Sequence, residues 1–293
     1  MPCRFVFNAR GFSYASVMEL SFTKMHGLGN DFVLLNGFRQ SLSLTPENVR
    51  QIADRHFGIG CDQVLVVEPP RGEADVHYRI YNADGGEVEH CGNGIRCVAR
   101  YLRDEGIVAK DEITVETMKG GLSKVYIETN GLVRVNMGVP RFEPADIPMQ
   151  VRGRASSYQV EVGGGHVSVG AVSMGNPHAV IKVDNVDTAP VRTLGPMIER
   201  HPLFPEGVNV GFMQVVDAAH VKLRVFERGT GETLACGTGA CAAVVVGRMH
   251  GLLKPLVDVQ LTGGHLSISW SEPGQPVWMT GPAARVFEGQ IKL

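Results

Sequence analysis

Several features that would narrow the function are scarce or missing in this 293-residue sequence. Charged residues make up only 20% of it and the formal net charge is −2, so neither nucleic acid nor an anionic membrane is expected as a partner. No uninterrupted apolar run is long enough to span a bilayer. Only six cysteines occur, without a secretory signal, which predicts a cytoplasmic protein with free thiols.

The sequence also lacks the short motifs that bind common cofactors and metals. It contains no Gly-x-x-x-x-Gly-Lys-Ser/Thr phosphate loop, no strand-linked Gly-x-Gly-x-x-Gly, and no setting that marks a pyridoxal lysine. The Cys-x-x-Cys and His-x₃₋₅-His spacings of zinc sites and redox pairs are missing as well. We therefore expect chemistry without a metal ion or an organic cofactor.

Two cysteine motifs are the most informative feature that is present. Cys91 lies in EVEHCGNG and Cys236 lies in ETLACGTG. Each cysteine follows a glutamate by four residues, precedes Gly-x-Gly and leads into an apolar run, and the separation is 236 − 91 = 145 residues. This duplication predicts two similar halves that offer one sulfur each to a shared site. Two sulfurs facing one substrate carbon can remove a proton from one face and deliver one to the other, as a racemase requires.

The two halves share more than the cysteines. Polar residues recur in the same order at an offset of 145 or 146: Asn30 with Asn176, Gln63 with Asn209, Asn82 with Glu227, and Glu87 with Glu232. Repetition through separate segments predicts two copies of one structural unit. We expect these polar residues to meet in one cleft.

Short alternating apolar runs, bounded by glycine or proline, predict a chain rich in strands. The predicted strands are 122–128, 132–136, 167–172, 221–226, 266–270 and 285–287, and Asn130-Gly131 predicts a hairpin turn. The predicted helices are 47–56, which Thr45 caps, 94–104, 190–200 and 239–250. Strands and helices do not alternate, which favours an α+β fold over a doubly wound nucleotide-binding fold.

Both repeated cysteines lie where a loop enters a predicted helix. The unpaired N–H groups at a helix N-terminus carry partial positive charge, which predicts a lowered thiol pKa and a binding site for a carboxylate. Gly92 and Gly237 allow a ligand to approach the backbone closely. The other four cysteines are interpreted as structural: Cys3, Cys61, Cys97 and Cys241.

The remaining polar residues allow two interpretations. Singly, each amide residue of the repeat is a common turn former, but together the amides suit a pocket for a substrate with several charged groups. Glu227-Arg228 forms either a surface ion pair or a binding pair for an ammonium and a carboxylate. His178 either tunes a nearby thiol or is structural.

Together these segments resemble the diaminopimelate epimerase family. The matching segments are 25–32, 53–60, 81–85, 90–94, 173–178, 209–212, 227–228 and 235–240. The resemblance implies two pseudo-symmetric domains, each a mostly antiparallel sheet wrapped round a central helix. The N-terminal domain would comprise 18–137 plus 282–293, with the last strand returning to it, and the C-terminal domain 138–281. Residues 1–17 are interpreted as an extension or tail, with Met18 as the true start.

The resemblance also implies an activity, the interconversion of LL- and meso-2,6-diaminopimelate on the route to lysine and peptidoglycan precursors. The implied acid/base pair is Cys91 and Cys236, with His178 and Glu227 modulating the thiols. The implied substrate contacts are Gly92, Asn93, Gly237 and Thr238 for the reacting carboxylate, Asn82 and Glu227 for its amine, and Asn30, Gln63, Asn176, Asn209 and Arg228 for the distal end. A homodimer is implied too, although Phe287 stands where family members often carry a tyrosine at the dimer contact.

Two rival functions follow from the same residues. A proline or hydroxyproline racemase would use the same two-thiol logic, but Glu227-Arg228 and the set of amides favour a longer, doubly zwitterionic substrate. A non-catalytic binding protein would not need both cysteines. Exchange of the α-hydrogen in heavy water distinguishes an enzyme from a binder.

Overall fold

The computed structural model describes residues 18–88, 92–117 and 121–293. The extension 1–17 and Cys91 therefore lie outside the described residues. The first half contains β1 (Glu19–Gly27), β2 (Asn30–Asn36), α1 (Pro46–Ala53), β3 (Gln63–Glu68), β4 (Val76–Asn82), β5 (Glu87–Val88), α2 (Gly92–Asp104), β6 (Glu112–Glu116), β7 (Leu122–Ile127) and β8 (Val133–Asn136).

The second half repeats this order with one additional strand at each end. It contains β9 (Tyr158–Val162), β10 (Gly165–Ser173), β11 (Pro177–Lys182), α3 (Val191–Glu199), β12 (Asn209–Asp217), β13 (His220–Glu227), β14 (Gly231–Thr233), α4 (Gly237–Met249), β15 (Leu256–Leu261), β16 (Gly264–Ser269), β17 (Trp278–Gly281) and β18 (Ala284–Lys292). Every strand and helix predicted from the sequence has a counterpart here.

Local sequence explains where these elements begin and end. The backbone N–H of Asn48 donates to the Thr45 hydroxyl at 3.2 Å, which caps α1 as predicted. This helix ends at Ala53, three residues before the predicted end, because Asp54 adopts an extended conformation and its carboxylate accepts from the backbone N–H groups of His56 and Phe57. Gly131 has a φ of +80° in the turn between β7 and β8, a conformation that favours glycine.

The strands form one continuous, mostly antiparallel sheet. From one edge to the other the order is β18, β1, β2, β3, β4, β6, β7, β8, β17, β16, β15, β13, β12, β11, β10 and β9, with β5 and β14 paired to β4 and β13. Parallel pairs occur at equivalent places in the halves, β2 with β3 and β11 with β12, then β4 with β6 and β13 with β15. This repetition about the β8–β17 pair confirms the predicted α+β fold of two pseudo-symmetric domains.

The last strand returns to the start of the chain. β18 pairs antiparallel with β1, from Glu19 opposite Lys292 to His26 opposite Ala284. It therefore takes beside β1 the place that β9 takes beside β10 in the second half. The end of the chain therefore lies in the sheet beside the first strand of the first half.

Each half wraps its sheet around one buried helix. Nearly all residues of α2 from Gly92 to Leu102 are buried, and so are nearly all residues of α4 from Gly237 to Gly247. The small and apolar residues of α4 suit a helix that is covered on all sides. Both helices belong to one hydrophobic core, which places their N-termini close together. Within the described ranges, no helix has the length and apolar character needed to cross a membrane.

Candidate active site

A cavity of about 1240 Å³ opens at the N-termini of α2 and α4. Residues of both halves line it. Of the residues predicted from the sequence, the lining includes Asn30, Gln63, Asn82, Gly92, Asn93, Asn176, Glu227, Cys236, Gly237 and Thr238. The expectation that the repeated polar residues meet in one cleft is therefore met by most of them.

Cys236 is the N-cap residue of α4. Its backbone is extended, with φ −110° and ψ 107°, which turns the chain from β14 into the helix. The residue is only 4% exposed, and its Sγ lies 3.6 Å from the hydroxyl oxygen of Thr238. This places one of the two predicted sulfurs at a helix N-terminus on the cavity wall.

The ionisation of Cys236 differs from the expectation for a helix N-terminus. Burial raises the pKa of its thiol well above the usual value, and the negative charge of Glu227 raises it further. Hydrogen bonds with Thr238 and the backbone of Gly239 act in the opposite direction but are weaker. The sequence interpretation considered only the helix and missed the burial. In this structure Cys236 is therefore a neutral thiol.

Glu227, at the end of β13, lies beside this thiol. Burial raises the pKa of its carboxyl group, although hydrogen bonds with Thr233 and Cys236 lower it in part. The Thr233 hydroxyl donates a short hydrogen bond to Glu227 Oε1. Thr233 lines the cavity and was missed in the sequence interpretation. The repeat contained no signal for it, because its counterpart in the first half is Val88 (233 − 145 = 88).

A hydrogen-bonded chain leads from the cavity to His178. Asn176 Nδ2 donates to the Thr238 hydroxyl oxygen at 3.3 Å, and His178 Nε2 donates to Asn176 Oδ1 at 3.0 Å. His178 is almost fully buried, and burial with the nearby charge of Arg228 lowers its pKa to about 3. His178 is thus neutral and connected to Cys236 through Asn176 and Thr238. It is not among the described residues that line the cavity.

The amides of the first half are also joined. Gln63 Nε2 donates to Asn82 Oδ1 at 2.8 Å, which connects β3 to β4. Asn93 Nδ2 donates to Asn30 Oδ1 at 3.2 Å and to the carbonyl oxygen of Ala235 at 3.0 Å. Asn93 therefore connects the start of α2 to the chain immediately before Cys236 in the other half.

An ion-pair network that the sequence interpretation missed supports Asn30. Asn30 Nδ2 donates to Asp62 at 2.8 Å, and Arg55 donates to both Asp62 and Asp31 at 2.7 Å. Asp31 also accepts from Lys24 at 2.5 Å. Burial acts to raise the pKa of Asp31, but Arg55 and Lys24 outweigh it and hold the pKa well below its usual range. The available signals were the segments 25–32 and 53–60, in which the resemblance assigned no role to Asp31 or Arg55.

Two predicted binding residues point elsewhere in this structure. Asn209 Nδ2 donates to the carbonyl oxygen of Pro177 at 2.9 Å, and Asn209 Oδ1 accepts from the backbone N–H of Arg228 at 3.0 Å. The Arg228 guanidinium donates to the carbonyl oxygen of Glu206 at 2.9 Å. Neither belongs to the described cavity lining. Asn209 instead holds the backbone at the start of the Arg228 segment, which the sequence pattern alone did not indicate.

Solved structures share this fold. The chain aligns with a hydroxyproline epimerase from Agrobacterium vitis at a TM-score of 0.66 and 18% identity, covering 94% of this chain and 93% of that one. A phenazine biosynthesis protein of the PhzF family from Bacillus anthracis aligns at a TM-score of 0.68 and 16% identity, covering 94% and 99%. The chain therefore belongs to the class of proteins that share this fold of two pseudo-symmetric α+β domains, here with a thiol at the cavity between the two central helices.

Sequence comparison specifies the family. The profile of the diaminopimelate epimerase family matches residues 22–143 and 170–286. The diaminopimelate epimerase of Nitrosomonas eutropha is 59% identical, covering 94% of this chain and 100% of the relative. That of Alkalilimnicola ehrlichii is 57% identical with the same coverage. The chain belongs to the diaminopimelate epimerase family.

Proposed function

We propose that this protein interconverts LL- and meso-2,6-diaminopimelate by moving a proton between two thiols, without a cofactor. The observation that carries the proposal is the position of Cys236, buried at the N-terminus of α4 on a cavity that the N-terminus of α2 also lines. Cys91 directly precedes Gly92, the first residue of α2. The family membership supports diaminopimelate as the substrate.

The raised pKa of the Cys236 thiol supports one direction for the first step. As a neutral thiol it donates a proton, so the thiolate that removes the α-proton is Cys91. The electron pair of the broken C–H bond moves into an enediolate on the carboxylate, and the carbon then takes the Cys236 proton on its other face. The step leaves a Cys91 thiol and a Cys236 thiolate, which are the states required for the reverse reaction.

The two helix N-termini hold the reacting carboxylate. Backbone N–H groups at Gly92, Asn93, Gly237 and Thr238 belong to the first turns of α2 and α4, where they lack intrahelical partners. Their partial positive charge stabilises the enediolate more than the ground-state carboxylate, because the negative charge on the oxygens grows during the step.

The remaining polar residues recognise the rest of the substrate. Asn82 and Glu227 bind the amine at the reacting carbon, and Asn30, Gln63 and Asn176 contact the distal end from the cavity wall. Arg228 binds the distal carboxylate after its guanidinium leaves the carbonyl oxygen of Glu206. Asn209 then acts by holding the Arg228 backbone and His178 by orienting Asn176.

The larger organisation is proposed on the same basis. The N-terminal domain comprises 18–137 plus 282–293 and the C-terminal domain 138–281. The protein acts in the cytoplasm as a homodimer. Among the residues that the structure describes, no strand other than β1 pairs with β18, and Phe287 on this strand is 47% exposed and packs against Phe22 at a ring separation of 5.8 Å, which supports the dimer. An exposed edge strand with large apolar side chains is a common surface for association.

Incubation in deuterium oxide tests the function. Diaminopimelate should invert with uptake of one deuterium at the reacting carbon, and proline and hydroxyproline should show neither exchange nor inversion. Inversion of proline without reaction of diaminopimelate would replace the proposal with a proline racemase. Binding of diaminopimelate without any exchange would identify a non-catalytic binding protein.

A further inference from the structure

Both helices of the site begin with a glycine, and one methionine occupies the space beside both glycines. A Cβ added to Gly92 would lie 3.1 Å from the Met279 methyl carbon and 3.0 Å from that of Met137. A Cβ added to Gly237 would lie 3.0 Å from the Met279 sulfur and 3.4 Å from its methyl carbon. A side chain at either glycine would therefore press on Met279, which would have to shift by a few tenths of an ångström to make room.

Met279 is held firmly in this position. It lies in β17 opposite Val135 of β8, at the strand pair where the two halves meet, and it is completely buried. The Arg96 guanidinium lies close by: its Nη1 is 3.5 Å from the Met279 sulfur, and its Nε donates to the carbonyl oxygen of Pro282 at 3.2 Å. Arg96 is fully buried and belongs to α2, so it ties this helix to the strand that carries Met279.

We propose that Met279 is a positioning residue that sets the distance between the N-termini of α2 and α4, and with it the distance between the two sulfurs. The proposal rests on the two-thiol function above. A single side chain in contact with both helix starts fixes their separation directly, whereas two independent contacts would allow each helix to move by itself. Proton transfer to both faces of one carbon requires this separation to be held closely, because a misplacement of about 1 Å can cost about a hundredfold in rate.

The unbranched thioether suits this role. Methionine reaches far from its backbone with little width and fills irregular space between elements. Its sulfur faces Gly237 and its methyl group faces Gly92. Alanine at position 279 would leave a gap beside both helix starts, and the helices would be free to approach each other. The repeat contains no signal for this role, since neither of its offsets brings Met279 onto another methionine: the corresponding positions are Arg134 (279 − 145 = 134) and Val133 (279 − 146 = 133).

A double-mutant cycle tests the packing. Gly237→Ala should lower the melting temperature of the wild type, although alanine ordinarily favours a helix over glycine. In the Met279→Ala background the same substitution should lower the melting temperature less, or raise it, because the closest contact of the added Cβ is then removed and Asn93 Oδ1, at 3.3 Å, is the tight neighbour that remains. The melting temperature of the double variant should lie about 2 °C or more above the value expected from adding the two single changes. Additive effects would overturn the packing contact.

Kinetics in deuterium oxide test the positioning. Met213→Ala is the matched control, because Met213 is also buried and packs near Gly247 at the opposite end of α4. Both variants should lose similar stability, but Met279→Ala should lose about tenfold or more in kcat. Its ratio of α-hydrogen exchange to inversion should rise, because one thiol still reaches the carbon while the other does not. Met279→Leu, which keeps the volume, should restore part of both quantities.

The outcomes separate this inference from the function itself. If wild-type protein shows no inversion of diaminopimelate, the proposed function fails and the kinetic test of Met279 has no basis. If the wild type inverts its substrate and the exchange-to-inversion ratio of Met279→Ala equals that of Met213→Ala, only the positioning role of Met279 is overturned.

Discussion

Two cysteines of one helix offer a controlled test of the thiol mechanism. Cys236 caps α4 on the cavity wall, whereas Cys241 lies inside the same helix with no exposed surface, and the pKa of Cys241 is raised by burial to about 12. Replacing either by alanine removes one sulfur atom from the same helix. The proposal expects Cys236→Ala to abolish inversion and Cys241→Ala to preserve it.

The expected magnitudes follow from the surroundings of each sulfur. A sulfur is about the size of a methylene group, whose burial contributes about 0.8 kcal/mol. Cys241→Ala also leaves a closed gap in the core, so its total cost should approach about 1.5 kcal/mol. Cys236→Ala opens into the existing cavity and should cost less. The loss of activity should have the opposite order and be larger for Cys236→Ala. Removal of an acid/base group costs up to about 10⁴-fold in rate, or about 5 kcal/mol of activation barrier.

The assay combines two measurements on purified protein. Chiral separation of LL- and meso-diaminopimelate over time gives the rate of inversion, and thermal melting gives stability. We expect the rate of inversion by Cys236→Ala to be about a thousandfold or more below that of the wild type. Its melting temperature should stay within about 4 °C of the wild-type value. Inversion by Cys236→Ala within tenfold of the wild type would refute the two-thiol mechanism. An equal loss in Cys241→Ala would show that packing of α4, and not the Cys236 sulfur, limits the rate.

Three further outcomes are expected. Glu227→Gln removes a charge that raises the Cys236 pKa, so iodoacetamide should modify Cys236 faster at pH 8 in a Cys91→Ala background; an unchanged rate, read by peptide mass spectrometry, would contradict the coupling. The folded-state pKa of His178 is lowered from 6.5 to about 3, so its contribution to stability is present above pH 6.5 and lost as the pH falls, by about 1.4 kcal/mol per pH unit. Urea unfolding at pH 7 and pH 5 should show this loss in the wild type and less of it in His178→Gln, and equal slopes would refute it. Arg228→Lys should lower kcat/KM for diaminopimelate about tenfold with little change in melting temperature, because the side chain is exposed; the reverse pattern would assign Arg228 a structural role.

Much of the architecture was predictable because it is repeated or local. The offset of 145 to 146 residues identified two similar halves, and the pairing of strands about β8 and β17 has the same repetition. The Asn130-Gly131 turn and the Thr45 cap depend on neighbouring residues only, and both are found as predicted. The cysteine motif placed Cys236 at the start of a helix because its glycines and the apolar run after them are contiguous in sequence.

Other properties depend on residues that are distant in sequence. The sequence indicated a lowered pKa for Cys236, but burial by the surrounding core and the charge of Glu227 reverse the direction. Thr233 and Met279 lie outside the repeat pattern, so only their contacts with Glu227 and with both helix starts indicate a role. The hydrogen bond from the Arg228 guanidinium to the carbonyl oxygen of Glu206 likewise could not be predicted from any local sequence pattern.

There is a physical reason why some properties could be predicted from the sequence and others could not. Hydrophobic periodicity, capping and turn formation act over a few residues, so the sequence by itself determined the helices, the strands and the duplicated thiol motif. Solvation of a thiol and the space beside a glycine depend on which atoms surround them after the whole chain has folded. The tertiary structure alone therefore decided that Cys236 is a neutral thiol and that one methionine lies against both helices of the site.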